Sequence, residues 1–125
     1  MRLIVSVIKY GYVLRRALRR GLAITLLMSS SLASAATAEY EIVIRDHLFF
    51  PAELTIPSGV KVKLRIVNED PTPEEFESFE LNREKVILGN RSGVVFIGPL
   101  QAGEYPFFGE FYPKTAQGKI IVVDE

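Results

Sequence analysis

The sequence predicts an all-β domain of antiparallel strands, a sandwich or a barrel, and three observations lead there. The first is strict alternation. In "VKVKLRIV" Val60, Val62, Leu64 and Ile66 face one way and Lys61, Lys63 and Arg65 the other, the period of a strand with one wet face. The second is regular punctuation by Pro57-Ser58-Gly59, Leu88-Gly89-Asn90, Gln101-Ala102-Gly103 and Gln117-Gly118. The third is that the stretches between these turns are short, as in β domains built from many small strands.

Taken in order, "EYEIVIRD" sets Tyr40, Ile42 and Ile44 against polar neighbours and reads as the first strand. "VKVKLRIV" follows the Pro-Ser-Gly turn. "VVFIG" and "KIIVV" are nearly continuous apolar runs, the pattern of central strands buried on both faces. The acidic stretch "NEDPTPEEFESFELNREK", residues 68–85, departs from this. Thr72-Pro73-Glu74-Glu75 has the make-up of a helix start, with Thr as cap, Pro at the first position and carboxylates in the first turn. One short helix is therefore predicted near residues 73–79, with a return to strand near Lys85-Val86-Ile87.

Residues 1–38 read as a secretory signal. "MRLIVSVIKYGYVLRRALRR" has six basic residues and no acidic one, and an apolar run ending in small residues follows it. Ala33-Ser34-Ala35 and Ala36-Thr37-Ala38 both suit cleavage, so the domain spans 39–125 and the expected location is the periplasm. The alternative is an uncleaved membrane anchor, for which the apolar run is short. "LRRALRR" hints at a twin-arginine signal, but its flanks do not match one.

The whole chain is neutral, with 15 basic and 15 acidic residues. Removing the leader takes six basic residues, leaving nine against 15 and a formal net charge of −6. That excludes nucleic acid and an anionic membrane surface as natural partners; contact with a membrane would come only through a partner or an uncleaved leader. Cysteine is absent, so the small domain stands on packing alone and has no thiolate chemistry. No serine has a histidine placed for a triad, and neither a phosphate loop nor a two-histidine zinc motif is present.

Phe49-Phe50-Pro51, "IPSGVKVKLRIVNED", "AGEYPFFGEFYPKTAQG" and a closing "KIIVVD" stand in the order of the cupredoxin superfamily, which this chain resembles over essentially all of its length past the leader. The resemblance implies a Greek-key β-sandwich. Further marks, Glu75 to Ser78, Glu84 to Val86, Gly98-Pro99-Leu100 with Gly103-Glu104-Tyr105, and Phe107 to Phe111, resemble a periplasmic subgroup associated with bacterial iron uptake, the EfeO-type cupredoxin-like domains. That implies a periplasmic metal-binding accessory of iron or copper uptake, acting beside a periplasmic iron-binding protein and a membrane iron permease, with help to ferrous iron oxidation as the one activity in view.

On the superfamily frame the first copper histidine falls at or near Glu75, the cysteine at Gly109, the second histidine at Tyr112 and the axial ligand near Ala116. A type 1 copper site needs two imidazoles and a thiolate, and none of these residues supplies them. Oxygen donors stand there instead. Glu75, Glu77, Glu80, Glu84, Glu110 and Tyr112 suit a hard cation such as ferric iron. His47 is the single imidazole of the chain and would serve a copper variant. The candidate metal residues are thus His47, Glu75, Glu77, Glu110 and Tyr112. Each has a plainer reading: a charge run is commonly a solvated face, His47 a hydrogen-bonded surface histidine, Tyr112 a loop aromatic, and Arg83 a structural partner of Glu80 or Glu84. The phenylalanines at 49, 76, 79, 107, 108 and 111 read as core or rim packing. The competing functional class is a protein-interaction module without metal, using the acidic loop face of the sandwich.

Overall fold

The computed structural model describes Ser30 and residues 36–125; the expected leader lies almost wholly outside the described residues. Among the described residues nine strands form: β1 (Ala38–Arg45), β2 (Leu48–Phe50), β3 (Glu53–Pro57), β4 (Val62–Asn68), β5 (Glu74–Ser78), β6 (Arg83–Ile87), β7 (Ser92–Ile97), β8 (Gly103–Gly109) and β9 (Gln117–Val123). They make a four-stranded sheet in the order β2-β1-β4-β7 and a five-stranded sheet in the order β3-β9-β8-β5-β6.

The alternation read from the sequence is the alternation seen. Ile42 and Ile44 of β1, and Val62, Leu64 and Ile66 of β4, are fully buried, while their neighbours face solvent. From the other sheet Phe76, Phe107, Ile120 and Val122 close the core. Phe49 meets Phe107 and Phe76 edge-on, with ring centroids 5.0 and 6.3 Å apart, the arrangement that the aromatic quadrupole favours.

Three expectations need correction. The helix near residues 73–79 does not form: residues 74–78 are strand β5, paired antiparallel with both β6 and β8. Glu74, Phe76 and Ser78 point inward, so a period of two governs the segment. The cap-like Thr-Pro-Glu-Glu composition yields to tertiary pairing, in which the extended segment buries Phe76 between its polar neighbours on the inner face. The sheets are not purely antiparallel: β1 pairs in parallel with β4, and β3 with β9. Finally, β7 is an edge strand, and its Val94 and Phe96 are exposed rather than central.

Candidate metal centre

The candidate residues fall into two groups. The first is set by strand register. Because Glu74, Phe76 and Ser78 turn inward, Glu75 and Glu77 share the outer face of β5. Across the ladder Phe76 pairs with Gly109 and Glu77 with Phe108. One step beyond β8, the Glu110 N–H donates to the Glu75 carbonyl at 2.9 Å, which sets Glu110 beside Glu75. As a result Glu75, Glu77 and Glu110 each offer a carboxylate oxygen within 4.8 Å of the others. On the other side of β5, Glu77 stands opposite Glu84 of β6. Like charges directly opposite on one face repel. No ion pair among the described residues relieves Glu75, Glu77, Glu84 or Glu110.

The electrostatics follow from this crowding. Partial desolvation first, then the hydrogen bond and charge of Glu110 and the charges of Glu84 and Glu77, push the Glu75 carboxyl above its ordinary value. Desolvation, then Glu84 and Glu110, do the same to Glu77. A cation among the three would stabilise the charged forms that the site now disfavours.

The second group is His47 with Tyr112. Asp46 and His47 take positive φ angles of 52° and 57° in the turn from β1 to β2. Asp70 holds that turn by accepting from the Asp46 N–H at 2.8 Å and the His47 N–H at 3.0 Å. The His47 Nδ1 lies 3.5 Å from the same carboxylate, and its ring stacks on Tyr112 with centroids 3.6 Å apart. Asp70 is itself placed by the buried Asn68, whose Oδ1 accepts the Asp70 N–H and whose Nδ2 donates to the carbonyls of Thr72 and Ile87. The N-x-D pattern of the sequence is thus a bracket between the first turn and the entry to β5. His47 does not join the three glutamates in one ligand group, and Tyr112 lies against His47. Arg83 pairs with neither Glu80 nor Glu84; it donates to the carbonyls of Phe96 and Asn82.

The residue that sequence reasoning missed is Glu74. It is 1% exposed. Its Oε1 accepts from the Glu75 N–H at 2.9 Å and the Phe111 N–H at 3.0 Å, and its Oε2 is buried without a partner. It therefore ties the loop carrying Glu110 and Tyr112 to β5. It shares the inward face of β5 with Phe76 and Ser78, but a polar residue there gives no alternation signal in the sequence.

These features define a small two-sheet β domain with a carboxylate cluster on the outer face of one sheet. The chain belongs to the cupredoxin-like domain family, whose model matches residues 20–122. A relative in Rickettsia prowazekii (strain Madrid E), the uncharacterized protein RP394, is 45% identical over 86 residues, covering 69% of each chain. Among solved structures, the blue copper protein auracyanin A of Chloroflexus aurantiacus superposes with a TM-score of 0.61 at 16% identity, over 70% of this chain and all of that one. The metal-binding domain of the Cu(I)-exporting P-type ATPase CopA of Streptococcus pneumoniae D39 gives 0.61 at 18%, over 69% and 85%. Amicyanin of Paracoccus versutus gives 0.53 at 22%, over 72% and 84%. These likenesses show the fold.

The blue copper group of such folds does not fit here. The chain has no cysteine and one histidine. A Cβ placed on Gly109 would lie 2.5 Å from the Glu74 carboxylate and 2.7 Å from the Ala116 Cβ. A buried carboxylate thus fills the space that a side chain at position 109 would need.

Proposed function

We propose that this chain is an exported cation-binding accessory of metal uptake, with Glu75, Glu77 and Glu110 as its ligands and iron as its cargo. Three converging oxygen donors that no basic side chain among the described residues neutralises carry this reading. Such a set favours hard cations over Cu(I). It is open to solvent, which suits a site that loads and releases rather than stores. Processing after Ala35 leaves β1 whole, since that strand starts at Ala38. A membrane permease, working with a periplasmic iron-binding protein, receives the cation in this scheme, consistent with the resemblance to iron-uptake domains.

Calorimetric titration of the tag-free domain with Fe(II), Fe(III) and Cu(II) tests the reading. Saturable binding of an iron ion, lost in the double variant Glu77→Gln with Glu110→Gln, is expected. Binding that survives this variant but disappears in His47→Ala would move the site to the other group.

A further inference from the structure

The outer face of the β5–β6 hairpin has a feature that cation binding does not explain. Phe79 is 74% exposed, an unusual place for a phenylalanine, and its ring rests on Phe108 at 5.5 Å between centroids. Beside it a recess of about 260 Å³ is lined by Glu77, Ser78, Phe79, Asn82, Arg83 and Glu84. Val86, facing Glu75 across the ladder, is also exposed. Aromatic surface, an aliphatic neighbour and facing carboxylates thus share one patch.

Charge tells what the patch lacks. On the other strands several surface acids are paired: Glu39 with Lys63, Glu41 with Arg65, Glu69 with Arg45, and Glu53 and Glu104 with Lys119. On this face Glu77 and Glu84 stand opposite each other, and among the described residues neither forms an ion pair. The nearby Arg83 is turned away, its Nε 2.8 Å from the Phe96 carbonyl. The missing complement is a cation with a flat, apolar-tolerant surface. A guanidinium has that shape: its planar fork addresses carboxylates and its face stacks on an aromatic ring.

We propose that this face docks a partner protein through an arginine side chain, seated between Glu77 and Glu84 against Phe79. Glu77 also belongs to the three-carboxylate cluster, so the docked arginine takes one ligand from the cation. Docking and cation binding then oppose each other, and by reciprocity each weakens the other. This second half rests on the cation reading above; the docking itself does not. A partner that presents such an arginine would release the cation at the moment of contact.

The test uses the domain of residues 36–125, which contains the entire core described above, and the peptide acetyl-Leu-Arg-Leu-amide beside its citrulline counterpart, which keeps the shape and removes the charge. Followed by NMR without metal, the arginine peptide is expected to shift the amides of Glu77, Phe79, Asn82 and Glu84 saturably. Binding should weaken about tenfold or more with citrulline or in Phe79→Ser. Equal binding of the citrulline peptide, shifts confined to another face, or no saturation up to about 10 mM overturns the docking proposal. Concentration-dependent self-association abolished by Phe79→Ser, without peptide binding, also overturns it and gives the face to a second copy. In a separate calorimetric arm, saturating manganese(II) should weaken the peptide about fivefold or more; unchanged affinity with manganese bound refutes the linkage. If manganese fails to bind the peptide-free domain, the linkage as stated falls, the cation reading is judged by the iron titration above, and docking is judged by the peptide arm alone.

Discussion

Replacing Glu74 by leucine tests whether this buried carboxylate holds the loop end together. Glu74 Oε1 is the side-chain acceptor for two backbone donors, Glu75 N–H at 2.9 Å and Phe111 N–H at 3.0 Å. A leucine of similar size leaves both donors unsatisfied in a partly buried setting. Each such donor costs about 1–3 kcal/mol, so the pair costs about 2–6 kcal/mol. Removing the unpartnered Oε2 offsets part of this, which places the expected loss near about 2–4 kcal/mol. Against a total stability of about 5–15 kcal/mol for a small domain, that is a large fraction. Glu74→Gln is the control, because its amide oxygen can accept both bonds; it should lose no more than about 1–2 kcal/mol. Urea unfolding followed by circular dichroism reads both. With a slope of about 1 kcal/mol/M, the leucine midpoint falls by about 2 M or more. Leucine and glutamine variants that unfold together within about 0.5 kcal/mol of the unmodified domain would show that Glu74 does not anchor the loop, and the reasoning would fail.

Gly109→Cys restores a thiol at the superfamily position but should not restore blue copper: its Cβ would press on Glu74 and Ala116. The variant is expected to lose about 1–3 kcal/mol and to show no intense thiolate-to-copper absorption with Cu(II); a strong visible band would contradict the fit described. The raised carboxyls of Glu75 and Glu77 mean that the folded state holds their protons more tightly than the unfolded chain does. Their contribution to stability is therefore fully present below the ordinary value of 4.5 and is lost as pH rises through their elevated folded values. Without metal, Glu77→Gln should melt above the unmodified domain at pH 7, with the difference shrinking toward pH 4; melting at the same temperature throughout would show that the carboxylates do not repel. Phe107→Ala should cost about 3–5 kcal/mol in the same urea assay, since the ring is 1% exposed and packs on both Phe49 and Phe76; a loss under about 1 kcal/mol would deny it that central place.

Much of the fold was legible because its strands alternate cleanly. Ile42 and Ile44, and Leu64 and Ile66, announce their buried face. β5 was not legible, because two of its three inward positions are polar: Glu74 and Ser78 flank Phe76. Beside a near donor each, Glu75 N–H and Leu81 N–H, both have a partner far along the chain: Phe111 N–H for Glu74 and the Pro106 carbonyl for Ser78. No local pattern foretells such long-range satisfaction of buried polar groups. The parallel pairing of β1 with β4 was hidden for the same reason, since alternation fixes faces but not neighbours. Of the site, the convergence of Glu75, Glu77 and Glu110 needed only strand geometry and the β5–β8 register, whereas a helix would have separated them. The isolation of His47 with Tyr112 and Asp70 depends on the positive-φ turn and could not be read from spacing.

Anomalous diffraction from a crystal of the domain soaked with iron tests the central claim most directly. A single peak bridging the carboxylates of Glu75, Glu77 and Glu110 is the predicted result. A peak beside His47 and Tyr112 with none at the glutamates would contradict it.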